Sequence, residues 1–336
     1  MIWLTWRQFR FQATVTLAIL AAAAIYIVAT GLQMHHDLAA DLAACPHPEI
    51  GCRFFLSFQQ SYNGRQQLLQ MLVLAAPALI GIFWGAPLIA AELERGSHRM
   101  MWNQSITPVR WLTVKLALLG LAALLTAGAL SLLLTWWASP LDQRANDRFS
   151  AAAFATRNIA PLGYAAFAFA LGITLGLLIW RTLPAMAITL AVFIALQILF
   201  AAVLRPNLLP STTVTMPINA TTLGQAQGIG TGPDPSGPVS IFGPGPKDAW
   251  ILAASNLENG SGQEISGNQV ATCLNNQALD LPSLGGCLAP YNLHINYTYQ
   301  PASNYWPLQW IETGIYFALA TLLGATCFRR IRRHRD

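Results

Sequence analysis

Six apolar stretches, each close to twenty residues, decide what this chain can fold into. Five carry no charge at all: 13–31, 68–91, 116–138, 160–180 and 183–204. The sixth, 308–328, carries a single acid, Glu312. About twenty apolar residues in a helix span the roughly 30 Å of a bilayer's hydrocarbon core. A β-barrel would instead show alternating segments of about ten residues. Charged residues make up only 10% of the chain, too few to cover a soluble surface, where about 25% is usual. The predicted fold is therefore an all-α membrane protein: six transmembrane helices, with a small mixed extracellular loop domain.

Charge placement sets the orientation. With both termini inside, the inner segments 1–12, 92–115, 181 and 329–336 hold twelve of the nineteen Lys and Arg residues. Such an excess in short inner segments follows the positive-inside rule. Arg144, Arg148 and Arg157, between the third and fourth spans, run against it. No basic patch with interleaved aromatics occurs, so the basic balance reads as topology rather than as nucleic-acid affinity.

The chain divides accordingly. Residues 1–12 read as an interfacial helix, with Trp3 and Trp6 at headgroup depth and Arg7 and Arg10 toward anionic membrane lipid. Residues 13–204 hold the first five spans, with 32–67 as a first outer loop. A cap follows over 205–306, and 307–336 forms the sixth span with a basic inner tail. Two pairs of small residues, Gly81 with Gly85 and Gly172 with Gly176, predict close helix approach. Trp180 to Pro184 is too short for anything but an antiparallel hairpin between spans four and five. Inside the Pro- and Gly-rich cap, TTVTMPI, AWILAAS and LHINYTYQ alternate as strands do. Cys45 and Cys52 in the first outer loop, and Cys273 and Cys287 in the cap, fit two disulfides in an oxidising exterior.

Absences narrow the function. No Gly-x4-Gly-Lys-Ser/Thr loop exists to cradle a phosphate. No apolar run carries a metal-ligating cluster or a Ser–His pair, which argues against a membrane-embedded protease or hydrolase. Glu312 is the lone acidic or basic residue within a run, about one turn inside its outer end. It is either a first-turn acid touching interfacial water or, with Gln309, part of a central pathway. No catalytic residue, metal site or bound cofactor is expected, and no energy source. The polar stretch Glu92 to Lys115, between spans two and three, is where outside energy would enter. There Glu92 lies within helical reach of Arg95 or Arg99, and Met100, Met101 and Trp102 offer an adaptable apolar surface.

Three segments carry a resemblance to permease subunits of the ABC-2 exporter family, in its actinobacterial version. They are Trp6-Arg7-Gln8-Phe9-Arg10; Glu92 with Gly96-Ser97, Trp102, Gln104-Ser105, Pro108, Arg110-Trp111 and Lys115; and Tyr299 with Pro301, Tyr305-Trp306-Pro307, Gln309-Trp310 and Glu312. Ser97 stands where the family has Thr, and the outer loop after span five exceeds that of smaller members. The resemblance implies a half-transporter: two six-span subunits, here as a homodimer, around a central pathway. Two copies of a cytoplasmic ATPase would supply ATP and Mg chemistry. It also implies that 92–110 is the coupling loop, with Glu92, Glu94, Arg95, Gly96, Ser97, Arg99, Trp102 and Arg110 meeting the ATPase. The cargo expected from apolar walls with one acid is an amphiphile, such as a drug, antibiotic or lipid, and hence resistance. The competing readings are a non-transporting sensor or scaffold whose cap binds a ligand, and a membrane-embedded enzyme.

Overall fold

The computed structural model describes residues 2–44, 53–94, 107–142, 148–219, 222, 228–231, 234, 236–243, 245–246, 248–274 and 291–333. They form two compact units, 1–205 with 306–336, and 206–305.

The first unit is helical. Helix α1 runs Ile2–Ala44 and α2 Arg53–Leu79; α2 passes through a π-helical turn, Ile80–Gly85, into α3, Ala86–Glu94. Then come α4 (Pro108–Asp142), the short α5 (Ala151–Thr156), α6 (Ala160–Ile179) and α7 (Thr182–Leu199). The last helix of the chain, α9, is Tyr305–Arg333. Six helical stretches are long and apolar enough to cross a membrane: Thr14–Ala40, Ser61–Glu94, Val109–Asp142, Ala160–Ile179, Thr182–Asn207 and Ala302–Arg332. Each contains most or all of one apolar run.

The helices outrun those runs. Leu- and Ala-rich sequence lets α1 continue through much of the expected first loop, where the Tyr62 hydroxyl of α2 donates to Asp37 at 2.6 Å. At its other end α1 takes in residues 2–12 without a break, so the expected interfacial segment continues into the first spanning helix. The side chains of Trp3, Trp6, Arg7 and Arg10 lie outside the described part of the structure.

Helix α6 is the centre of the unit, buried over most of its length. Apolar burial gives helices little reason to associate when lipid is equally apolar, so close backbone packing and polar links must do so. Here glycine permits the approach. A Cβ on Gly172 would lie 2.3 Å from the Gly81 carbonyl oxygen and 2.7 Å from the Ala86 nitrogen. One on Gly176 would lie 2.6 Å from the Ala86 carbonyl oxygen, and one on Gly85 2.7 Å from that of Phe169. Both small-residue pairs thus meet at one helix crossing, where the second span adopts its π-helical turn. Trp180 takes a left-handed conformation (φ 61°) and turns the chain into α7.

The second unit is built on a three-stranded antiparallel sheet, β1 (Thr212–Pro217), β5 (His294–Gln300) and β4 (Trp250–Ala254), with β5 in the middle. These strands hold the three alternating segments of the sequence. Strands β2 (Gly228–Gly230) and β3 (Ser240–Phe242) form a separate hairpin pair, and α8 is Gly267–Leu274. Ile295 and Tyr297 of β5 pack with Val239, Leu257, Ile265 and Leu293 as its core. The buried Gln300 amide donates to the carbonyls of Pro206 (3.3 Å) and Leu209 (2.8 Å), tying the unit's first residues to its last strand. Cys45, Cys52, Cys287 and the Cys273 side chain lie outside the described residues.

Candidate functional site

The segment 92–110, expected from the sequence to be the coupling loop, is anchored at both ends. On α3, Glu92 accepts a hydrogen bond from Lys115 of α4 at 2.6 Å. The Lys115 side chain is almost fully buried, and its ammonium lies 4.4 Å from the Trp111 ring centroid. A buried ammonium must exchange water for a carboxylate and a ring face, and this one does. Two residues on, the Glu94 carboxylate accepts from the Thr182 backbone N–H (3.2 Å) and hydroxyl (2.8 Å). Thr182 opens α7, so Glu94 caps from another helix an N–H that α7 cannot satisfy, and its charge suits that helix end. At the far end, Thr107 caps α4: its hydroxyl accepts from the Arg110 N–H at 3.4 Å and its carbonyl from the Trp111 N–H at 3.1 Å. Arg110 is exposed. Arg95, Gly96, Ser97, Arg99 and Trp102 lie outside the described residues. The partner found for Glu92 is Lys115, a residue 23 positions away that helical reach along α3 did not reveal.

A second polar set lies inside the unit. Glu312 on α9 accepts from Arg205 Nε at 2.9 Å and Nη2 at 3.0 Å, and from the Tyr164 hydroxyl of α6 at 2.5 Å. The guanidinium also sits 4.2 Å from the Phe154 ring centroid. Tyr316, one turn along α9, packs between Tyr164 and Phe200. Glu312 is fully buried, and both of its carboxylate oxygens accept hydrogen bonds from within the chain. Arg205 was missed because it just follows the fifth apolar run and reads as a loop residue. The signal available was the lone intramembrane acid, which needs a cation.

Gln309, one turn before Glu312, repairs a break. Between α5 and α6 the chain turns through Arg157, Asn158 (φ 57°) and Ile159, interrupting the helical ladder. Gln309 Oε1 accepts from the Ala160 N–H at 3.0 Å, and its Nε2 donates to the Phe154 carbonyl at 3.0 Å. One side-chain amide thus serves a backbone donor and acceptor on opposite sides of the break. Helix α4 holds the same turn from the other side. Ser131 donates to the Asn158 carbonyl at 2.8 Å, Thr135 accepts from its N–H at 3.1 Å, and Asp142 pairs with the buried Arg157. Non-helical backbone at membrane depth persists only where protein satisfies its polar groups, and here α4 and α9 do so.

A family model described as ABC-2 membrane transporter related matches residues 17–205. That stretch takes in Glu92, Glu94, Arg110, Lys115 and Tyr164 and ends on Arg205; α9 and the second unit lie beyond it. No curated protein and no solved structure matches the chain.

Proposed function

The chain belongs to the ABC-2 membrane transporter related family, and from that premise we propose that it is the permease subunit of an exporter powered by a separate ATPase. Two ATPase subunits bind ATP and Mg, close on one another, and push on 92–110 of each permease. Two copies of this chain form the pathway, and both termini are cytoplasmic. The cargo is an amphiphile of the drug, antibiotic or lipid type.

The observation that carries this reading is the double anchorage of the coupling segment. Glu92 binds α4 through Lys115, and Glu94 binds the start of α7. A load on 95–106 therefore reaches α3, α4 and α7 together. Arg95, Gly96, Ser97, Arg99, Trp102 and Arg110 supply the ATPase-facing surface, where cations and apolar groups suit a groove on a soluble partner. Twelve of the nineteen Lys and Arg residues fall in the segments that this orientation puts inside, which supports it. Gln309 and Glu312 fix α9 against α5, α6 and Arg205, and so shape the pathway wall.

The test is to purify the chain with a candidate soluble ABC ATPase from the same genome and to measure ATP hydrolysis across a panel of amphiphilic compounds. Stimulation by one compound class, lost when Glu94 and Lys115 are both replaced, supports the reading. An assembled complex whose hydrolysis ignores the permease overturns it.

A further inference from the structure

A cavity of 730 Å³ opens beside α6 and α9, and the proposed export mechanism makes no use of it. Leu177, Leu178 and Leu323 line it with carbon, and Arg329 and Arg330 line it with positive charge. Its two hydroxyls are already committed: Thr174 donates to the Ala170 carbonyl at 2.7 Å, and Thr326 to that of Leu323 at 2.7 Å. The guanidiniums are thus the polar groups it offers a ligand. Both arginines are exposed, and among the described residues no carboxylate lies within ion-pair distance of either.

Position adds a second constraint. Thr174 meets Leu323 and Cys327 across the two helices, so the apolar walls begin at that level. Arg329 and Arg330 lie about two turns beyond Leu323, roughly 10 Å along the helix, at the end of the sixth spanning stretch. Chain depth and charge therefore follow the profile of a membrane leaflet: hydrocarbon, then headgroup.

We propose that this cavity is a binding site for an acidic phospholipid. The phosphate lies between Arg329 and Arg330, and one acyl chain runs over Leu178 and Leu177 toward Leu323. Paired cations select the anion and the apolar wall selects the chain. Inorganic phosphate would leave the wall uncovered, and a zwitterionic lipid would bring its own cation toward the guanidiniums. Basic pockets between membrane helices hold anionic headgroups by this chemistry, and Arg presents a fork that fits phosphate oxygens.

The experiment is native mass spectrometry of the detergent-purified full chain, titrated with phosphatidylglycerol or with phosphatidylcholine of the same acyl chains. One phosphatidylglycerol should bind per chain at least tenfold more tightly than phosphatidylcholine. The variant R329Q/R330Q should lose that preference about tenfold or more, and Leu323→Trp, which fills the apolar end, should weaken binding of both lipids. Arg332→Gln, also exposed but outside the cavity, should change neither. Four results overturn the proposal: equal affinity of wild type and R329Q/R330Q, equal affinity for the two lipids, an Arg332→Gln loss as large as that of R329Q/R330Q, or full competition by millimolar glycerol phosphate, which would make the ligand a soluble phosphate. Uptake of lipid only after a dimer is dissociated also overturns it, by giving the face to a second copy.

Discussion

Arg205 reaches Glu312 through two parallel N–H···O bonds of 2.9 and 3.0 Å, with 1% and 0% of the two side chains exposed. Removing one partner of so buried a pair strands the other charge, at a cost of about 3–5 kcal/mol. Glu312→Gln is therefore expected to lower folding stability and membrane yield as well as export. Replacing the pair together, Arg205→Met with Glu312→Leu, should recover most of that loss, because no charge is left uncompensated and only the Tyr164 hydroxyl loses an acceptor. Thermal unfolding of the purified chain decides it. A double variant as weak as the two single losses combined would contradict the pairing.

Gln309 supports two backbone groups with one amide. Gln309→Leu keeps bulk but orphans the Ala160 N–H and the Phe154 carbonyl, each costing about 1–3 kcal/mol when buried. Gln309→Glu should retain the bond to the Ala160 N–H, because a carboxylate still accepts. Amide exchange at Ala160 should therefore speed up strongly in the Leu variant and little in the Glu variant. Equal acceleration in both would show that Gln309 does not hold the break.

The glycine crossing separates two kinds of position. Gly172→Ala forces a Cβ against the Gly81 carbonyl, and overpacking of this kind costs about 1–3 kcal/mol. Gly314, on α9, has nothing within 4 Å of an added Cβ, and alanine is favoured over glycine in a helix by about 1 kcal/mol. Melting temperatures should fall for Gly172→Ala and hold or rise for Gly314→Ala. The reverse order would mean that the crossing is not close-packed in the membrane.

Local features were legible and distant pairings were not. Length and apolarity alone placed all six spanning helices, since a helix in lipid needs only its own residues to satisfy its backbone. Gly172 and Gly176 pointed to a close approach, but spacing says nothing of the opposite surface, which proved to be Gly81, Gly85 and Ala86. Alternation located β1, β4 and β5, while their order, with the last strand central, depends on residues more than forty positions apart. Arg205, Tyr164 and Glu312 are joined across 107 and 148 residues, and no local pattern records such a meeting. The break at Asn158 was hidden because its polar groups are satisfied by α4 and α9 rather than by neighbours in sequence.

The anchors of the proposed coupling segment give the prediction that bears most directly on energy transfer. Lys115→Met keeps the stem over Trp111 but removes the ammonium, leaving Glu92 only 15% exposed and without that partner. Glu94→Ala leaves the first N–H of α7 without its acceptor, a loss comparable to that of an N-cap, about 0.5–2 kcal/mol. Neither change touches 95–106, so both variants should still bind the ATPase with parental affinity. Compound-stimulated ATP hydrolysis should fall severalfold in each and further in the double variant, because a push on the loop then reaches fewer helices. Assembly is read by co-purification and coupling by hydrolysis rate, so the two are separable. Loss of ATPase binding would make Glu94 and Lys115 part of the docking surface itself; normal stimulation with normal binding would show that force enters the bundle elsewhere.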